Sequence, residues 1–325
     1  MISRRSLLAG AAATAATAAF FRSDAELAAS AAQPSTPINF EMPPGATDCH
    51  THIFGDVKRF PMWEGRAYTP EAASLAELQS MHKAVHIERT VCVHGLPYGP
   101  DLSITLDELP QLAPHARAIG VIEDSITDAR LDELHRLGFR GIRHNILSAG
   151  LPDPAYARKR LQFMGKKLEG RGWCIEVSSR LSMTDELFDD YMAVPMPIVF
   201  SHFAGAQAAG GLEQPGFQSV LKLMKAGKAY VKLSAVYRAG KQAPDYADAG
   251  PLARAIASAN PDRALYGSDW PHPLGVPPPG GTKYDLASFV QLDDGRAVNQ
   301  LAVWFPDAAL RKKILVDNPA RLYGF

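Results

Sequence analysis

Across 325 residues, 34 Lys+Arg balance 34 Asp+Glu, so the chain carries no net charge when its ten histidines are neutral. That balance excludes the broad basic surface needed to hold nucleic acid or anionic lipid; any anion recognised must be small and met by individual arginines in a pocket. With 46% hydrophobic and 21% charged residues, the chain can bury one large core.

The first 32 residues stand apart. Ser3-Arg4-Arg5-Ser6-Leu7-Leu8 leads into an Ala-rich run from Ala9 to Phe21, with a small-residue stretch at Ala28 to Ala32. This order reads as a signal peptide of the twin-arginine type. The 15 residues from Leu7 to Phe21 fall short of the roughly 20 that a membrane span needs. The expectation is a periplasmic or exported protein, not stably inserted in a membrane after cleavage. Residues 33–44 read as an N-terminal extension and 45–325 as a single domain.

From Gly45 onward, apolar β-rich runs alternate with amphipathic helical stretches, the pattern of a parallel sheet with crossover helices. The runs are Ala46 to His52, Arg89 to His94, Ala116 to Ile122, Phe139 to His144, Trp173 to Ser178, Ile198 to His202, Ala229 to Ser234 and Ala264 to Asp269. Eight such units close an α/β barrel of the (β/α)8 TIM type. Helical stretches lie between them: Thr127 to Leu137 starts near Asp128 and stops at Gly138, and Tyr156 to Leu168 is followed by Gly170. The loop Val276-Pro277-Pro278-Pro279-Gly280-Gly281 follows the eighth run and is expected to border the active site. The three cysteines, Cys49, Cys92 and Cys174, sit inside strand-like runs and read as buried free thiols. His82, His86, His115 and His135 read as surface residues.

Catalytic side chains in such barrels sit at the C-terminal ends of the strands. The first run ends in Asp48-Cys49-His50-Thr51-His52, where alternation points His50 and His52 together into the mouth and sets Cys49 out of phase with them. The sixth ends in Ser201-His202 and the eighth in Gly267-Ser268-Asp269-Trp270-Pro271-His272-Pro273, bringing a third imidazole and a carboxylate to the same face. Asp269 can take a proton from an attacking water, and His50, His52 and His202 can donate to a developing oxyanion. Arg143 and Arg238 offer planar forks for a carboxylate. The same donors form a plausible ligand set for zinc or another divalent metal: His50, His52, His202 and Asp269, with Glu176 as a further candidate. The fourth run has no lysine to form a carbamate bridge between two metals.

Asp48-x-His50-x-His52, His202 and the Gly267 to Pro273 run resemble the amidohydrolase superfamily from about Gly45 to Tyr323. Cys92-Val93-His94-Gly95, Gly141-Ile142-Arg143-His144-Asn145, Val231-Lys232-Leu233-Ser234 with Arg238, and Asn318-Pro319-Ala320-Arg321-Leu322-Tyr323 resemble the branch that includes 2-pyrone-4,6-dicarboxylate hydrolase and galactarolactone isomerase. The resemblance implies a hydrolase of small carboxylated lactones. Asp269 would activate water, no cofactor is favoured, and Tyr68 and His94 become further substrate-binding candidates. Two departures bear on substrate. The segment Asn145 to Gly150 lacks the second arginine of the pyrone dicarboxylate hydrolases, and Cys174 stands where their strand carries a tyrosine. One carboxylate clamp is therefore expected to be missing, which favours a sugar-acid lactone over pyrone dicarboxylate. A zinc-dependent amidohydrolase or decarboxylase, a lactone isomerase and a non-catalytic ligand-binding barrel are the alternatives. Oligomeric state is not legible.

Overall fold

The computed structural model describes residues 31–146 and 153–325. Apart from Ala31 and Ala32, the expected signal peptide lies outside them, as does part of the Asn145 to Gly150 segment. Eight strands form one parallel sheet in chain order: β1 (Thr47–Thr51), β2 (Arg89–Val93), β3 (Ala116–Gly120), β4 (Phe139–Asn145), β5 (Cys174–Ser178), β6 (Ile198–Phe200), β7 (Ala229–Leu233) and β8 (Ala264–Tyr266). The expected barrel is thus present. Helices α1 (Leu75–Ala84), α2 (Ser103–Leu112), α3 (Asp128–Arg136), α4 (Pro154–Leu168), α5 (Phe188–Ala193), α6 (Phe217–Lys225), α7 (Gly250–Ala259) and α8 (Asp294–Trp304) follow the strands in turn.

Local chemistry sets the helix limits. Ser74 and Glu77 form a reciprocal capping box at the start of α1, and the Thr127 hydroxyl accepts from the Arg130 N–H at the start of α3. In α6 the buried residues Phe217, Val220, Leu221 and Met224 recur at the three-and-four spacing that faces a sheet. The residues of the N-terminal extension are tied to α8: the Ser35 and Thr36 hydroxyls donate to Asp293 at 2.7 and 2.6 Å, and the Asn39 N–H donates to Asn299 at 2.9 Å. No helix of the described residues is long and apolar enough to cross a membrane.

Inside the ring, Cys49, Val91, Ile119, Cys174, Val199, Tyr230 and Leu265 pack as one cluster, closed from below by Leu322 and Tyr323 of the C-terminal helix Asn318–Tyr323. Asn318 holds that helix by donating to the carbonyls of Pro261 and Ala264. Cys49 corrects the alternation argument. The register between β1 and β2 shifts between Asp48 and Thr51, and such an irregularity re-aims side chains beside active sites. Cys49 therefore joins the interior cluster although His50 also turns inward. All three cysteines are free and buried, and burial raises their thiol pKa values, those of Cys92 and Cys174 to about 12.

The ring closes where β1 and β8 end. The Asp269 N–H donates to the His50 carbonyl at 2.9 Å and the His52 N–H to the Trp270 carbonyl at 2.8 Å. Fully buried Asp48 latches this seam: one oxygen accepts from the N–H groups of Ser268 (2.9 Å) and His50 (3.1 Å), and the other lies 3.3 Å from His82 Nε2. His82 is therefore not a surface residue. It follows Leu78 by four positions on the buried stripe of α1, and its ring satisfies a carboxylate that has no access to water.

Candidate active site

The strands end one to three residues earlier than expected at several positions; His50 stays within β1, while His52, His202 and Asp269 occupy the turns beyond their strands. His202 has φ 53° and Asp269 φ 66°, left-handed conformations that non-glycine residues adopt uncommonly and often at functional sites. Gly267 makes room for this arrangement, since a Cβ there would lie 2.8 Å from the His50 Cβ and 3.1 Å from that of Ser234.

Three imidazoles surround one carboxylate oxygen. Asp269 Oδ1 lies 3.4 Å from His50 Nε2, 3.4 Å from His52 Nε2 and 3.9 Å from His202 Nε2. The other oxygen accepts from the Tyr237 hydroxyl at 2.7 Å, a partner absent from the expected site. Each ring is held from behind. Nδ1 of His52 faces the Val93 carbonyl at 2.7 Å and Nδ1 of His202 the Ser234 hydroxyl at 2.9 Å, while Nδ1 of His50 faces both Glu176 and Lys232. A carbonyl only accepts, so His52 carries its proton on Nδ1 and, when neutral, offers a bare Nε2.

Burial, with Lys232 adding to it, lowers the His50 pKa to about 3, and burial likewise takes His202 well below its ordinary value. Burial alone would raise Asp269, but the surrounding His202, His52 and His50 rings outweigh it and hold the carboxyl well below the usual range. At neutral pH the site therefore holds a carboxylate facing neutral His50 and His202.

The pH dependence follows with a definite sign. The working form of Asp269 is the charged one, present above its depressed pKa and lost only as pH falls through it. We expect kcat/KM to show no acidic limb from about pH 8 down to about pH 5. An acidic limb near pH 6 to 7 in a rate profile would assign the base to a histidine instead.

The cavity above this cluster has a volume of about 570 Å³, in the range of small-molecule sites. His52, His202, Asp269, Tyr68, Arg143 and Arg238 line it, as do Leu274 to Pro277 at the start of the Pro-rich loop. Arg143 is only 8% exposed. Its Nη1 donates to the His94 carbonyl at 3.3 Å, its Nε has no partner, and no carboxylate pairs with it among the described residues. Arg238 lies nearer the base, with Nε 3.9 Å from Asp269 Oδ2 and a hydrogen bond to the Pro273 carbonyl.

Two expectations about the site change. His94 does not line the cavity: its ring nitrogens face the Thr105 hydroxyl (2.8 Å) and the Gly99 carbonyl (3.1 Å), and it serves the site through its carbonyl, which steadies Arg143. The expected shortage of cationic groups is also offset, because Arg180 lines the cavity from just beyond β5. Glu176, Ser178 and Arg180 share one phase of that strand, so period two carried past the strand end could have found it. Arg180 is exposed, and a solvated cation contributes modestly. We expect Arg180→Ala to raise KM for an anionic substrate by roughly three- to tenfold with kcat little changed, checked by steady-state kinetics.

His50, His202 and Asp269 each present a ligand atom within 4.8 Å of the others, so their spacing fits one divalent ion. Glu176 is committed elsewhere, bound by Lys232 and the Ser201 hydroxyl.

The family model described as Amidohydrolase matches residues 47–325. A 4-sulfomuconolactone hydrolase of Rhizobium radiobacter is 34% identical over 301 residues, covering 89% of this chain and 93% of the relative. The 2-pyrone-4,6-dicarboxylate hydrolase of Comamonas testosteroni is 32% identical, covering 90% and 94%. A crystal structure from Pseudomonas putida described as a putative 2-pyrone-4,6-dicarboxylic acid hydrolase superposes with a TM-score of 0.71 at 28% identity, covering 87% of this chain and 98% of the other.

Proposed function

The chain belongs to the amidohydrolase family, and from that premise we propose that it hydrolyses a small lactone carrying at least one carboxylate, with water activated by Asp269 and without a required metal. The observation that carries the anionic part is Arg143, a buried guanidinium facing the cavity with no acidic partner among the described residues. A buried cation in that position is stabilised by an anion brought by the substrate. The relatives named as lactone hydrolases support the reaction class.

In this reading Arg143 binds the substrate carboxylate, with Arg180 and Arg238 available to further anionic or hydroxyl groups. The lactone carbonyl then lies over the imidazoles, and a water lies between that carbon and Asp269. Asp269 takes one proton as the water oxygen bonds to the carbonyl carbon, and the His202 Nε2–H, its Nδ1 occupied by the Ser234 hydroxyl, stabilises the oxyanion. Collapse breaks the bond to the ring oxygen, which receives the proton from Asp269, leaving a hydroxy acid or its keto tautomer. A sugar-acid lactone remains one candidate; the third arginine returns a doubly anionic lactone to equal standing.

A second reading rests on the cluster of His50, His202 and Asp269. These residues would hold a zinc or similar ion, which when bound would polarise the carbonyl and lower the pKa of water. The cationic Arg143 and Arg238 around the cluster oppose it, since a divalent ion would be repelled by charges that burial leaves poorly screened.

The test is turnover of a panel of pyrone and sugar-acid lactones by the mature protein, with elemental analysis before and after chelation. Turnover by metal-free protein, with oxygen from labelled water in the product, is the expected result. Stoichiometric zinc with activity lost on chelation would replace this reading with the second, and conversion without solvent oxygen would indicate an isomerase.

A further inference from the structure

Beneath the imidazoles lies an ion pair with no access to solvent. Lys232 and Glu176 are both 0% exposed, and the lysine ammonium contacts Glu176 Oε2. The Ser201 hydroxyl donates to Glu176 Oε1 at 2.8 Å, and the Tyr323 ring lies below the ammonium with its centroid 6.0 Å away. Burying two charges costs several kcal/mol per ion before they attract each other, and the reaction outlined above does not use either group.

Their common neighbour is Nδ1 of His50, 3.2 Å from Glu176 Oε1 and 3.4 Å from Lys232 Nζ. A neutral imidazole has one proton and two places for it. On Nδ1, it would point at Glu176 and leave Nε2 bare. That nitrogen would then face Nε2 of His52 at 3.3 Å and Asp269 Oδ1 at 3.4 Å, and three lone pairs would converge, the arrangement that suits a metal ion. With the proton on Nε2, His50 donates toward His52 or Asp269, and its bare Nδ1 accepts from the ammonium. In this second arrangement the ammonium donates to both Glu176 Oε2 and Nδ1, the Ser201 hydroxyl serves Glu176 Oε1, and one of the two lone pairs facing Nε2 receives a proton.

We propose that Lys232 is a positioning residue that donates to His50 Nδ1, holding this imidazole as the Nε2–H tautomer so that it presents a proton, and not a lone pair, to His52 and Asp269. Glu176 neutralises the ammonium and keeps it in place. The pair thus decides whether the cluster acts as a hydrogen-bond donor or as a ligand set. The use of the tautomer rests on the metal-free lactonase reading; the geometry that fixes it does not.

The experiment is histidine-selective 15N NMR of the substrate-free protein at neutral pH, which distinguishes protonated from bare ring nitrogens, with Co2+ titration followed by its visible absorption. Wild type should show His50 protonated at Nε2. In Lys232→Met, with only Glu176 facing Nδ1, the proton should move to Nδ1, Co2+ affinity should rise at least about tenfold, and kcat should fall with KM little changed. A wild-type His50 protonated at Nδ1, or a folded variant that keeps the Nε2–H signal, overturns the proposal. If the variant does not fold, the wild-type spectrum decides alone. Failure to turn over any lactone would remove the lactonase reading and leave the tautomer assignment standing.

Discussion

Asp269→Asn should leave the protein folded and reduce kcat by about 10² to 10⁴-fold, the usual contribution of a positioned general base. The substitution isolates one function. Asparagine tolerates the left-handed backbone at φ 66°, and its carbonyl oxygen can still accept from the Tyr237 hydroxyl, now 2.7 Å from Asp269 Oδ2. What it cannot do is take a proton from water. A thermal unfolding midpoint within a few degrees of wild type, together with unchanged binding of a product-like carboxylate, would place the loss in the chemical step. Full activity in the variant would exclude Asp269 as the base.

Arg143→Met is the second large effect, and it should separate activity from stability. Removing one member of a desolvated charge pair costs about 2 to 5 kcal/mol, so kcat/KM for an anionic lactone should fall by roughly 30- to several-thousand-fold, mainly through KM. The free protein loses little, because among the described residues the guanidinium has no carboxylate partner and its Nε is unsatisfied; the main loss is a 3.3 Å hydrogen bond to the His94 carbonyl. Replacing a buried unpaired charge with an apolar chain of similar length relieves desolvation. The midpoint is therefore expected to be unchanged or higher, measured by calorimetry beside the kinetics. A large drop in stability with normal KM would show that Arg143 is structural.

The barrel and the four converging side chains were legible because both rest on periodicity. Alternation along β1 pairs His50 with His52, and the run order places His202 and Asp269 on the same rim. Where the period is broken, the reading fails. The register shift at Asp48 to Thr51 turns Cys49 inward, and no propensity announces such a shift. Other features left a signal that went unused. Lys232 is a charged residue in phase with Tyr230 on a strand buried at every position, and Arg180 continues the inward phase of Glu176. The contact between Tyr237 and Asp269 had no such signal, since it depends on a four-residue helix after β7 meeting the turn after β8.

The seam between β1 and β8 ties the chemistry to the order of folding. Asp48 and Ser268, which it joins, are 220 positions apart, and contacts of such separation form only after a large loss of chain entropy. His50 and Asp269 contribute the backbone bond that closes the ring and the side chains that act on substrate. An intermediate in which the first seven strands have paired can be compact and rich in helix, yet it has no active site. Recovery of turnover during refolding should therefore lag behind recovery of helical circular dichroism, reporting the moment at which the barrel closes.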